Sequence, residues 1–159
     1  MAGGKRARRL RITRADPSTA ATLTEPLFAL VERFAASFAA DRSAFERSLE
    51  LVLADESAWL GIAEAEPLDS TPDPVGYCLG FAHPAFYANG SVAWVEEIMV
   101  REDMRGQAVG RRLMEAFEEW AAGRGCRLVA LATRRAAPFY AALGYEESAA
   151  YFRKLLPEG

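Results

Sequence analysis

The sequence predicts a mixed α/β fold, in which a mostly antiparallel sheet carries helices on its faces. Three observations carry this prediction. Apolar residues switch between a two-residue and a helical period along the chain. Three strand-like runs follow one another across connections rich in Pro, Asp and Asn-Gly, the pattern of an antiparallel meander. Finally, strand, helix and strand over residues 92–132 have the length of a crossover, which makes the two flanking strands parallel.

The elements follow in order. RLRIT, Arg9–Thr13, alternates and reads as a first strand. Asp16-Pro17 offers an N-cap with proline at the first helical position. Leu27, Leu30, Val31, Phe34 and Phe38 continue at helical spacing, with Pro26 expected to bend or restart the segment. Ser43–Glu46 has the S-x-x-E form of a capping box, and Phe45, Leu49 and Leu53 extend a second helix from it. Ser57–Ala65 and Val75–His83 read as strands around the loop EPLDSTPDP, and Asn89-Gly90 marks a tight turn before a strand over Val92–Val100. A helix over Val109–Gly123, an apolar strand over Cys126–Thr133, a short helix over Pro138–Leu143 and a terminal strand over Ala149–Leu156 complete the order.

A chain of 159 residues suits one domain, expected over residues 9–159 behind a basic arm over residues 1–8. The first fourteen residues carry +6, so the net −3 of the whole leaves −9 for the remainder. A basic arm on an acidic body without a recognition motif argues against nucleic acid. The acidic body weakly favours a cationic partner through its field. The absence of a long apolar run and of a signal-peptide core gives the expectation of a cytoplasmic protein with no membrane association. Cys78 and Cys126 lie in apolar runs without CxxC spacing and read as reduced, buried thiols. One histidine and no cluster of soft ligands argue against a metal site.

The segment VEEIMVREDMRGQAVGRRLMEAFEEW concentrates the chemical signal. Val109, Leu113, Phe117 and Trp120 keep helical spacing, so one face of this helix packs on the sheet, with Trp120 in the core. Gly106 and Gly110 flank its start, where unpaired N–H groups and the helix dipole suit an anion, and Arg105, Arg111 and Arg112 add charge. A P-loop is excluded because no Lys-Ser/Thr follows Gly110. A dinucleotide fingerprint is excluded because the spacing is G-x-x-x-G and late in the chain. Two glycines that merely let a helix pack tightly remain the alternative.

EEIMVREDMRGQAVGRRLM resembles the acyl-CoA-binding segment of the GNAT superfamily of N-acetyltransferases, whose motif is R/Q-x-x-G-x-G/A after an acidic strand. AAPFYAALGYEES resembles that family's second hallmark, A-x-x-F-Y-x-x-L-G-F, with Tyr145 in place of the last Phe. The resemblance runs from Leu10 to Leu156 and implies a GNAT-like sheet whose parallel strand pair splays apart. It also implies acetyl-CoA as co-substrate. Arg105, Gly106, Gln107, Ala108, Val109 and Gly110 would then wrap the pyrophosphate, with Arg111 beside it and the backbone of Ile98, Met99 and Val100 pairing with the pantetheine. Two residues depart from the family pattern: Ala108 replaces a glycine, tolerable if its φ is negative, and Thr133 stands where a cofactor-contacting Asn is frequent.

Acetyl transfer to an amine needs a base for the ammonium, donors for the developing oxyanion and an acid for the departing sulfur. Glu96 and Glu97, adjacent on a strand, point to opposite faces unless a bulge intervenes. By resemblance Glu96 is the base and Glu97 an auxiliary group, and Tyr140 is the general acid, protonated at neutral pH. A backbone N–H near Ile98–Val100 would meet the oxyanion. His83 in its loop reads as a surface residue or an alternative base. Phe81, Phe86, Tyr87, Trp59 and Trp94 read as core residues or the wall of an acceptor pocket. The acceptor itself, a small-molecule or peptide amine, carries no decodable motif, and a homodimer is the default assembly. The competing readings are a non-catalytic acyl-CoA sensor of the same fold and a nucleic-acid module built on the basic arm.

Overall fold

A computed structural model describes residues 9–34, 38–65 and 73–158 of the chain. The basic arm over residues 1–8 and most of the EPLDSTPDP loop lie outside the described residues. The elements are β1 (Leu10–Arg14), α1 (Ala20–Phe34), α2 (Arg42–Ala54), β2 (Ala58–Ala65), β3 (Pro74–Ala85), β4 (Gly90–Val100), α3 (Val109–Gly123), β5 (Val129–Leu131) and α4 (Ala137–Ala142). The five strands form one sheet in chain order. Every pair is antiparallel except β4–β5, which is parallel through the α3 crossover.

Local chemistry explains most boundaries. Asp16 and Thr19 cap each other reciprocally, Asp16 Oδ1 accepting from Ser18 N at 2.8 Å and Thr19 Oγ1 from Asp16 N at 3.1 Å. This starts a short 3-10 turn, Pro17–Thr19, that leads into α1. α1 then runs through Pro26 without a break. Leu23, Leu27, Phe28 and Leu30 are buried along it, and that packing outweighs the single hydrogen bond a proline removes. The cap of α2 is Asp41 and not Ser43: its Oδ1 accepts from Ala44 N at 2.7 Å. Glu46, expected to close the box, instead accepts from Arg42 Nε at 2.7 Å, one helical turn back. Asn89 takes the left-handed conformation, φ 53°, that its tight turn requires.

The core has two halves, one on each side of the sheet. Trp59, Val75, Cys78, Leu113, Met114 and Phe117 pack under α3, while Leu27, Leu30, Leu49, Leu60, Ile62 and Tyr77 pack under α1 and α2. Gly80 makes the first half possible. A Cβ there would meet the Phe117 ring and sit 2.7 Å from the Trp94 carbonyl oxygen. Trp120 is half-buried rather than fully in the core. It stacks near Trp59 and Phe117, and the guanidinium groups of Arg14 and Arg124 lie 5.8 Å and 5.3 Å from its ring.

The C-terminal third departs from the sequence reading. β5 spans three residues instead of Cys126–Thr133, and Ala149–Leu156 is not a strand at all. Tyr151, Phe152, Leu155 and Leu156 are exposed there. Strand pattern gives a segment two faces but does not supply the neighbouring backbone that a strand needs.

Candidate active site

β4 carries an irregularity that organises the site. Its register against β3 runs Cys78↔Ile98 and Leu79↔Glu97, then jumps to Gly80↔Val95. Glu96 is therefore the extra residue of a bulge, without a partner on β3. Val95 stays buried under α3, so the bulge brings Glu96 and Glu97 onto the same face, toward α1 and α2. The alternation that separates neighbouring side chains does not hold here, and both carboxylates line one cleft. The parallel ladder of β4 with β5 also stops at this point, with Val95↔Leu131 as its last pair. Beyond it the strands part. Ile98 and Val100 send their side chains into the α3 cluster and Met99 into the α1–α2 cluster, which leaves their backbone along the gap.

The two glutamates sit in different surroundings. Glu96 is exposed, whereas Glu97 is half-buried and accepts a hydrogen bond from the Tyr77 hydroxyl at 3.3 Å. Burial pushes the Glu97 carboxyl above the usual carboxylate range, and the nearby Glu96 charge adds to the rise, while the Tyr77 bond opposes it. Tyr77 itself is held above the ordinary phenol range, first by burial and then by the Glu97 charge. Tyr77 was not visible as a site residue in the sequence. Its only signal is its register: opposite Met99 and two residues from Leu79, on the face that receives both carboxylates.

The loop between β4 and α3 is built for close approach. Gly106 and Ala108 both take left-handed backbone, φ 74° and 63°. The condition of a negative φ at Ala108 is not met, and the alanine carries the strain that a glycine would avoid. A Cβ at Gly106 would meet no atom within 4 Å, so the space over it is open. Ala108 is the N-cap of α3 and gives no side-chain cap, so the first-turn N–H groups have no side-chain acceptor there. Arg105 and Arg111 are exposed beside them. Gln107 turns back, its Nε2 donating to the Asp103 carbonyl at 3.2 Å and bracing the loop. Val109 is buried in the core, and Gly110 serves packing: a Cβ there would sit 3.1 Å from the Phe139 ring of α4.

That contact joins the two motifs. α4 carries Tyr140, 7% exposed, into the cluster under α3 and to the wall of the same cleft as Glu96 and Glu97. Burial raises the Tyr140 phenol above its ordinary value. Tyr145 packs edge-on to Tyr140 and donates to Glu118 Oε1 at 2.7 Å, tying the end of this motif to α3. The phenylalanine of the family pattern has no hydroxyl to make that bond. Thr133 lies at the cleft wall, where its Oγ1 accepts from Ala136 N at 3.0 Å and shapes the entry to α4.

Phe81, Tyr87 and Trp94 line the cleft, but Trp59 is in the core on the other face and Phe86 is fully exposed outside it. His83 is exposed, has its Nδ1 3.2 Å from the neighbouring Pro84 carbonyl oxygen, and is not among the residues that line the cleft. Cys78 is fully buried, and burial lifts its thiol to about 12. Cys126 is half-buried, and both cysteines are free thiols. Among the described residues, no helix is long and apolar enough to cross a membrane.

Comparison with known proteins agrees with this fold. An acetyltransferase of Trypanosoma brucei superposes with a TM-score of 0.76 at 19% identity, over 93% of this chain and 100% of that one. Glucosamine-6-phosphate N-acetyltransferase of Arabidopsis thaliana gives 0.76 at 16% identity, over 94% and 99%. At such identities the likeness is one of fold. In sequence, N-alpha-acetyltransferase 80 of Mus musculus is 46% identical over 52 residues, a third of this chain but 17% of the mouse protein. The family model of the acetyltransferase (GNAT) family matches residues 26–145, three quarters of the sequence. The chain belongs to the acetyltransferase (GNAT) family.

Proposed function

We propose that this protein is an N-acetyltransferase that moves an acetyl group from acetyl-CoA directly to a primary amine. The observation that carries the reading is the bulge at Glu96, which leaves two carboxylates where β4 and β5 part, in a cleft that Tyr140 also lines. The open left-handed loop at Gly106 and Ala108, the uncapped start of α3 and the exposed Arg105 and Arg111 fit an anionic pyrophosphate. Backbone of Ile98, Met99 and Val100 along the gap suits an extended amide-bearing arm, which it would bind as an added strand.

Acetyl-CoA supplies the acetyl group as an activated thioester. Glu97 is the base in this proposal, ahead of Glu96. A raised carboxyl is closer in basicity to the proton it must take, and the Tyr77 hydroxyl fixes its orientation. Glu96, exposed beside it, attracts the ammonium form of the acceptor. Tyr140 keeps its proton at neutral pH and gives it, or a strong hydrogen bond, to the departing sulfur. One N–C bond replaces one C–S bond. Of the two protons the ammonium loses, one ends on sulfur and the other reaches solvent through Glu97. Direct transfer is favoured because Cys78 is sealed in the core as a neutral thiol.

Steady-state thiol release from acetyl-CoA over a panel of amines tests this reading. Release should require an amine and fall at least about a hundredfold in Glu97→Gln. Tight cofactor binding with no release for any amine would instead identify an acyl-CoA sensor.

A further inference from the structure

The cleft over β3 and β4 has one chemical character on its acceptor side. Phe81 and Trp94 face each other across the two strands, and Leu79 continues the same face toward Glu97. All three are only partly buried, because α1 and α2 cover the sheet further along. Phe34, Phe38 and Tyr87 also line the cleft, the last two 68% and 75% exposed. The charges lining the cleft are mainly negative: Asp41, Glu96, Glu97, Glu118, Glu146 and Glu147, against Arg134 and Arg153. Both arginines follow β5, as do Glu146 and Glu147, so the acidic groups before β5 are Asp41, Glu96, Glu97 and Glu118, with no arginine among them.

An apolar floor with two aromatic side chains, ending in two carboxylates, selects for charge and for an apolar ring together. The carboxylates attract a cationic nitrogen and repel an anion beside it. Trp94 and Glu97 pair with Phe81 and Leu79, two residues apart on β3, which sets them about 7 Å apart along the strand. That separation suits a ring joined to the nitrogen by a short carbon chain. A polyamine would satisfy the carboxylates but leave the aromatic floor wet.

We propose that the acceptor is a small primary amine bearing a flat apolar group two or three carbons from the nitrogen, with no carboxylate beside it. The proposal rests on the transferase reading of this same site and names its substrate class.

Thiol release should be compared for 2-phenylethylamine, n-butylamine, spermidine, phenylalaninamide and phenylalanine. We expect kcat/KM for 2-phenylethylamine to exceed that for butylamine and spermidine by at least about tenfold, the factor of burying one aromatic ring. Phenylalaninamide should exceed phenylalanine by at least about tenfold, since the two differ in the carboxylate. Trp94→Leu and Phe81→Leu, which keep an apolar floor, should raise KM for 2-phenylethylamine severalfold more than for butylamine. Preference for spermidine or phenylalanine, or variants that raise both KM values alike, overturns this inference and leaves the transferase reading intact. Retained coenzyme A binding by calorimetry with no release for any of the five also overturns this inference, and the wider amine panel then decides the transferase reading.

Discussion

Ala108→Gly tests the loop that starts α3. Ala108 sits at φ 63° and ψ 15°, a conformation that costs an L-residue roughly 1–2 kcal/mol and glycine almost nothing. The exchange also gives the unfolded chain more freedom, which costs about 0.4–1 kcal/mol of stability. Ala108 is exposed, so its methyl group contributes little packing. The balance is a gain of about 0.8 kcal/mol, or roughly 2–3 °C in Tm for a domain of this size. Gly106→Ala is the mirror experiment. Its φ is 74° and a Cβ there meets nothing within 4 Å, so a comparable loss would come from the backbone alone. Thermal unfolding of the two variants measures the pair, and calorimetry with coenzyme A measures the cradle. Affinity of the Ala108→Gly protein should be equal or tighter, because one methyl group is cleared from the approach. A drop of more than about 2 °C in Ala108→Gly would refute the strain argument. A marked loss of coenzyme A affinity would refute the location of the cradle.

Three further outcomes follow from the site. Glu97→Gln should raise stability while cutting turnover at least about a hundredfold: the folded carboxyl titrates above its reference of 4.5, so wild-type stability falls as pH rises through that folded value. The variant's advantage in Tm should be present at neutral pH and vanish below the unfolded value, and the acid limb of wild-type kcat should lie above the ordinary carboxylate range. Tyr140→Phe should cut kcat by about 10²–10⁴-fold with coenzyme A binding retained; unchanged turnover removes Tyr140 from the mechanism. Gly80→Ala should cost about 2 kcal/mol by denaturant unfolding, since its Cβ is driven into the Phe117 ring and the Trp94 carbonyl. Unchanged stability there would mean that β3 and β4 pair in another register beside the bulge.

The sequence by itself determined the order of elements from β1 to α4, the bounds of α3 at Val109 and Gly123, and the two motifs that α4 and α3 bring together. These follow from periodicity and short-range chemistry, which any segment carries within itself. Caps were less secure: the S-x-x-E pattern pointed to Ser43, whereas the helix N–H group of Ala44 meets its acceptor at Asp41. What the tertiary structure decided are relations between segments. The bulge at Glu96 exists only in the register of β4 against β3, fixed by Val95 packing under α3 while Trp94 faces Phe81. From that one inserted residue come the shared face of the two glutamates, the Tyr77 contact and the raised carboxyl of Glu97. The left-handed turn at Ala108 is likewise imposed by where β4 ends and α3 must dock, against the preference of the residue itself. Ala149–Leu156 shows the converse: its apolar and aromatic residues read as a strand in the sequence, but a strand needs a neighbour's N–H and C=O groups, and no residue within the segment provides them.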